Sequence, residues 1–226
     1  MEISALQQKQ KKKIAVCAAL LAGFILFTIF KTSFQPINDT VNLWATTIHT
    51  DTATLLAKGI HYTFDTIAVA AATIAIAGIL LIKGRKTQSL LLITAIGGNA
   101  LLVAAIKTIT QVARPENQIL HDESFAYPSG HCAGVIVFVG LLIYYAWTKW
   151  GSRQHIKVSL ATIFGLIIAF VSFDRIYLNV HWLSDVIGGC LLGMFWLSFC
   201  IIFYEHLNLN DSTEPQICNN FDNQQT

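Results

Sequence analysis

Trp182-Leu-Ser-Asp-Val-Ile-Gly-Gly-Cys-Leu-Leu-Gly-Met-Phe-Trp-Leu-Ser-Phe-Cys-Ile-Ile-Phe-Tyr204 carries one charged residue, Asp185, near its start and none after it. A bilayer core about 30 Å thick takes about 20 predominantly apolar helical residues, so this stretch is long enough to cross one. Ile14 to Phe30, Thr66 to Ile82, Ser89 to Ile106, Ala133 to Trp147 and Val158 to Phe173 are uncharged runs of the same kind. The fold class expected is all-α, a polytopic membrane protein with about six transmembrane helices. Between the first two runs, Thr40 to Tyr62 is weaker. Leu43, Trp44, Ile48, Leu55, Leu56 and Ile60 recur there at roughly helical spacing among Thr, Asp and His. That stretch reads as amphipathic and interfacial, with its end a candidate extension of the second span.

Composition agrees with the spans. The 226 residues are 12% charged and 54% hydrophobic, and mean hydropathy is +0.55. Soluble domains run near 25% charged. High apolar content, 4 Pro and 5 scattered Cys exclude disorder, collagen and a disulfide-stapled module. A net charge of +2 without a basic stripe excludes nucleic acid as a partner.

The basic residues are unevenly placed. Ten of the 15 precede the first span (Lys9, Lys11, Lys12, Lys13) or lie between the second and third (Lys83, Arg85, Lys86) and the fourth and fifth (Lys149, Arg153, Lys157). The positive-inside rule makes that side cytoplasmic, and both termini with it. The first run lacks a small-x-small cleavage site and reads as a retained anchor. Residues 1–204 form the expected membrane domain. Residues 205–226, rich in Asn, Asp and Gln, are an expected disordered cytoplasmic tail.

Lys31, Lys58, Lys107, Arg114 and Arg175 fall on the opposite face, where three short polar segments interrupt the apolar chain. In the first, Lys107 and Arg114 are about two turns apart and share a face if the helix continues. Pro115 frees Arg114 from helical geometry. Snorkelling anchors are the plainer reading of that pair. The second segment, Tyr127-Pro128-Ser129-Gly130-His131, opens the fourth span with a turn whose free backbone N–H groups attract anions. His131 there suits a proton donor to a leaving group, or else Ser129 is merely a cap. The third runs from Asp174 to Asp185. His181 and Asp185 are four apart, so the carboxylate can hold one ring nitrogen and leave the other nucleophilic. A polar interhelical pair is the plainer alternative. Three cations, a helix start and two histidines suit phosphoryl transfer, which relies on positioning and electrostatic stabilisation.

Lys107-x6-Arg114-Pro115, Pro128-Ser129-Gly130-His131 and Arg175-x5-His181-x3-Asp185 resemble the three signature motifs of the type 2 phosphatidic acid phosphatase superfamily in order and spacing. The resemblance covers Lys107 to Asp185 and implies an integral-membrane lipid phosphatase that uses no metal or other cofactor. It implies that His181 attacks phosphorus, Asp185 orients it, and His131 protonates the departing oxygen and then activates water. Lys107, Arg114, Arg175, Ser129 and the Gly130 amide would hold the phosphate. Asp174 departs from the family's usual Ser; a carboxylate beside Arg175 competes with phosphate, and no role is carried onto it.

His131-Cys132 resembles the start of a cysteine-phosphatase loop, but that loop needs an Arg at position 138, which is Phe. Cys132 reads as a small span residue. Cys17, Cys190, Cys200 and Cys218 show no metal or redox spacing. His121, Asp122 and Glu123 lack ligand spacing and read as a solvated loop, and Tyr127, Tyr177 and Trp182 as an interface belt. Vanadium haloperoxidases share the anion-binding constellation but are soluble. A lipid phosphotransferase and a non-enzymatic channel or scaffold are the remaining alternatives. The lipid partners that fit an outer-face site are undecaprenyl pyrophosphate, ranked first, phosphatidylglycerophosphate, phosphatidate and a lipid A-type phosphate. The location expected is a bacterial inner membrane with the site on its non-cytoplasmic face. Lys31 and Lys58 need only interfacial anchoring.

Overall fold

A computed structural model describes residues 2–151 and 153–211. Among them the chain forms α1 (Glu2–Phe30), α2 (Gln35–Thr47), α3 (Asp51–Thr63), α4 (Thr66–Ile82), α5 (Lys86–Thr110), α6 (Gly130–Trp150), α7 (Gln154–Tyr177) and α8 (Leu183–Asp211), with no strand. The fold is all-α as expected. Gln10–Thr47, Lys86–Thr110, Gly130–Trp150, Gln154–Tyr177 and Leu183–Leu207 are long and apolar enough to cross a bilayer. α3 and α4, meeting at 44°, supply a sixth crossing if taken together. Outward faces are apolar: Ile67, Ile74, Leu101, Ile109 and Phe170 are all more than half exposed, as a lipid-facing surface requires.

Because consecutive long helices run back and forth, the links 83–85 and 151–153 share one end of the bundle, and 31–34, 111–129 and 178–182 share the other. α6 is the central helix, packed on α5, α7 and α8, while α1 packs on α8 and α4 on α5. Leu92, Ala95, Val135, Val137 and Leu141 fill the core.

Small residues let α8 approach α6. A Cβ on Gly189 would lie 2.5 Å from the Ser129 carbonyl oxygen, and one on Gly193 2.9 Å from the Ala133 Cα. Glycine at such contacts lets membrane helices pack backbone to backbone. The start of α6 consequently sits on the first turn of α8, where the Ser129 N–H donates to the Asp185 carbonyl at 2.9 Å.

The structure corrects the sequence expectations at several points. α5 ends at Thr110, where Gln111 takes a left-handed conformation (φ 47°), so Arg114 stands in the following loop and not on the helix of Lys107. The stretch expected to be interfacial is two helices, α2 and α3, that pack on α7, with α2 also on α8, while its end does extend the second span, as α3 joined to α4 through the 44° bend. Asn38 of α2 is buried and exchanges two hydrogen bonds with Ser184, each 3.0 Å long. Tyr127 and Tyr177 are not an exposed belt. Both are buried; the Tyr127 hydroxyl meets Thr28 Oγ1 at 2.6 Å, and the Tyr177 hydroxyl accepts from the Thr50 N–H. α8 continues to Asp211 without a break at 204, and the rest of the expected tail, 212–226, lies outside the described residues, as does Cys218.

Candidate active site

The third polar segment folds by local rules. α7 ends in a Schellman motif: Asn179 takes φ 52°, its N–H donates to Ile176 O, and the Val180 N–H donates to Arg175 O. Asn is one of the few non-glycine residues that accepts this conformation readily. The left-handed Asn179 ends α7, and two residues later His181 lines the cavity described below. His181 lies before α8 and not on it, a correction to the shared helical face. Asp185, in the first turn of α8, accepts from the Trp182 N–H through Oδ2 at 2.9 Å, as a capping carboxylate does. The same oxygen is 3.4 Å from His181 Nδ1.

On the other side of the ring, Arg114 Nη1 lies 3.4 Å from His181 Nε2. A guanidinium only donates, so Nε2 carries its lone pair and Nδ1 the proton directed at Asp185. Burial pushes the His181 pKa well below the ordinary histidine value, and the Arg114, Lys107 and Arg175 cations push the same way. Both effects favour the neutral ring, whose Nε2 lone pair is turned toward Arg114.

Arg114 is fixed by its loop. Its Nε donates to Ser124 O, Nη2 to Ser124 Oγ, and Nη2 pairs with Asp122 Oδ2 at 2.6 Å. Burial opposes ionisation of Asp122, yet the Ser124 N–H and Arg114 outweigh it and hold the carboxyl below its ordinary value. Asp122 is therefore a bound group and not part of a solvated loop, whereas His121 and Glu123 are exposed as expected. Lys107 Nζ donates to Ser124 Oγ at 3.2 Å and also to Phe125 O. The loop itself is tied down by Ile119 N–H to Leu178 O and Trp182 Nε1 to Ala113 O.

Arg175 is almost fully buried, paired with the equally buried Asp174 and 2.7 Å from His61 Nδ1. The competitor foreseen at position 174 does hold the guanidinium. Ser129 caps α6, its Oγ accepting from Cys132 N–H at 3.5 Å. His131, one residue into α6, stacks on His61 with ring centroids 5.1 Å apart, and its Nε2 is 3.6 Å from Asp65 Oδ1.

These groups enclose a cavity of about 150 Å³, lined among others by Arg114, His131, Arg175, His181, His61 and Asp65. That is room for a phosphoryl group with its oxygens. Arg114, His131, Arg175 and His181, drawn from all three segments, thus border one cavity, whereas Lys107, Ser129, Gly130 and Asp185 stand behind its lining. Sequence reasoning missed His61 and Asp65, which the α3–α4 bend delivers to it. Their one sequence signal is local: Asp65 immediately precedes an apolar run, as a helix cap does.

A sequence model of the PAP2 superfamily matches residues 88–208. The chain belongs to the PAP2 superfamily. The matched region begins in α5 and contains all three segments. Phosphatidylglycerophosphatase B of Bacillus subtilis is 31% identical over 112 residues, covering 49% of this chain and 55% of that protein. Undecaprenyl-diphosphatase of Sulfolobus acidocaldarius is 39% identical over 83 residues, covering 36% of this chain and 34% of that one. The matches thus span about half or less of these curated relatives. The crystal structure of a transmembrane PAP2-type phosphatidylglycerolphosphate phosphatase from Bacillus subtilis shares the fold, with a TM-score of 0.77 over 84% of this chain and 96% of that one at 23% identity.

Proposed function

We propose that the protein hydrolyses a membrane lipid phosphate or diphosphate, without a metal ion, through a phosphohistidine on His181. The observation that carries this reading is the state of His181: Nδ1 faces Asp185, Nε2 faces Arg114, and the ring borders a phosphoryl-sized cavity. Nε2 attacks phosphorus as the bond to the lipid oxygen breaks, and His131 delivers a proton to that oxygen. Water, deprotonated by His131, then attacks phosphorus, breaks the N–P bond and releases inorganic phosphate. Lys107, Arg114 and Arg175, with Ser129 and the Gly130 amide, hold the phosphate oxygens as charge shifts among them.

Undecaprenyl diphosphate is the first substrate of this reading, and the Sulfolobus acidocaldarius relative supports it by name. Phosphatidylglycerophosphate is the second, favoured by the name of the Bacillus subtilis relative. Either lipid keeps its tail in the bilayer while its headgroup reaches Arg114 and His181. The exposed Lys83, Arg85, Lys86, Lys149 and Arg153 at the far end support placing that end and both termini in the cytoplasm. The site then opens on the non-cytoplasmic face of a bacterial inner membrane.

The test is phosphate release by purified protein in EDTA from a panel of undecaprenyl diphosphate, phosphatidylglycerophosphate, phosphatidate and a lipid A-type phosphate, with glycerol and diacylglycerol as trial acceptors. Release from one of these, lost in His181→Ala, is expected. Turnover that requires a divalent metal, or that survives His181→Ala, overturns the reading.

A further inference from the structure

His131 shares its cavity with the cations Arg114, of the loop after α5, and Arg175 of α7, and with the rings of His61 and His181. Lys107 of α5 stands behind them, sharing the Ser124 hydroxyl with Arg114. A general acid must hold its proton until the leaving oxygen arrives, which facing cations oppose and a facing carboxylate favours. Among the described residues, the carboxylate that faces it is Asp65, at the start of α4. Asp65 Oδ2 is pinned by the Ile67 N–H at 3.1 Å, as the cap of α4. That leaves Oδ1 aimed at His131 Nε2, 3.6 Å away. The separation is an ion-pair distance longer than a hydrogen bond, and Nε2 is buried without a hydrogen-bond partner. A proton on Nε2 is therefore attracted by charge yet free to leave.

We infer that Asp65, outside all three signature segments, is the positioning carboxylate of His131, a second acid–histidine pair facing the His181–Asp185 pair across the cavity. His61 completes the arrangement by stacking on His131 while its Nδ1 accepts from Arg175, which separates the guanidinium from the imidazolium. In the first half-reaction, His131 gives its Nε2 proton to the lipid oxygen as the P–O bond breaks and the His181–P bond forms. In the second, His131 takes a proton from the attacking water, and the returning imidazolium again stands beside the Asp65 anion. His61, Asp65 and His131 have ligand atoms within 4.8 Å of one another, a spacing that also fits a metal ion. Arg175 against His61 and two further cations nearby repel a divalent cation there, so the carboxylate serves the histidine.

The inference rests on the hydrolase reading, and Asp65→Asn tests it apart from that reading. Asn keeps the cap on α4 and removes the charge. For the wild type and the variant, kcat and KM are measured from pH 5 to 9 on a lipid phosphate and on p-nitrophenyl phosphate, whose phenolate departs without a proton. The expected result is a fall in kcat of about 10² on the lipid, the lower range of general-acid effects, with KM within about twofold. The loss on the aryl ester is at least tenfold smaller, the alkaline limb moves to lower pH, and melting in detergent is unchanged. Equal loss on both substrates, or none, overturns the inference. So does a wild-type rate that EDTA abolishes and Zn²⁺ restores while Asp65→Asn responds to neither. If the wild type releases phosphate from no lipid, the hydrolase reading fails first, and this one falls with it.

Discussion

The two ends of the helix bundle hold the same kinds of charged residue in opposite conditions. At one end Lys83, Arg85, Lys86, Lys149 and Arg153 are exposed, and Lys13 pairs with Glu205 where both side chains are about a quarter to a third exposed. At the other, Asp174, Arg175, His181 and Asp185 are at most 3% exposed. Charges kept in water need little support and contribute little, about 0–1 kcal/mol per pair. Charges taken out of water must be matched group by group, because an unmatched one is strongly destabilising. The charges of the basic end are free to move in water, whereas those of the buried end cannot relax away from a bound phosphate.

The contrast can be broken most forcefully at Arg175. Arg175→Ala leaves Asp174 buried without its partner, which costs about 3–5 kcal/mol of stability. In the proposed reaction it also removes a phosphate donor, worth about 10²–10³ in kcat by comparison with oxyanion-site donors. Melting in detergent and lipid phosphatase kinetics read the two effects, and near-normal values for both contradict the account.

Asp174→Ser sharpens it. The serine removes the carboxylate that ties the guanidinium, so phosphate no longer competes with it. KM is expected to fall by about tenfold, equivalent to ~1.4 kcal/mol, while the phosphate-free protein melts earlier. Added inorganic phosphate should then raise the melting temperature more in the variant than in the wild type.

Acidification acts more gently, and its sign is fixed. The folded value of His181 is depressed, so the stability its neutral ring contributes is complete above about pH 6.5, the unfolded value. It is lost as pH falls from there toward the folded value, because only the unfolded chain binds the proton. Melting temperatures from pH 8 to 5 should decline below about 6.5 in the wild type and more shallowly in His181→Asn. The smallest effect is expected at the other end. Lys83→Ala and Arg85→Ala should each change stability by less than about 0.5 kcal/mol, as surface substitutions do, with kcat unchanged.

What the sequence disclosed follows from how local each signal was. Apolar runs the length of a bilayer announce α1 and α4 to α8, since lipid dictates the composition of a spanning helix whatever its neighbours. α2 and α3 were only half legible: Asn38 is buried against α8, and His61 is half-buried against Arg175 and His131. Short spacing within each segment made Arg114, His131, Arg175 and His181, which line the cavity, legible in the sequence, together with Lys107, Ser129 and Asp185 behind it. Asp65 and His61 reach the same cavity through a bend between helices and a packing contact, which no run of neighbouring residues records. Arg114 was expected at the helix boundary before Pro115, and α5 ends earlier, at Thr110, since the left-handed Gln111 that stops it carries no glycine to announce it.

The central claim is that His181 takes the phosphoryl group. Protein mixed with ³²P-labelled lipid phosphate in EDTA, quenched in alkali within the first turnover, should carry acid-labile, alkali-stable label on the peptide that contains His181, and His181→Ala should carry none. Label on a carboxylate, serine or cysteine, or label undiminished in His181→Ala, would contradict it.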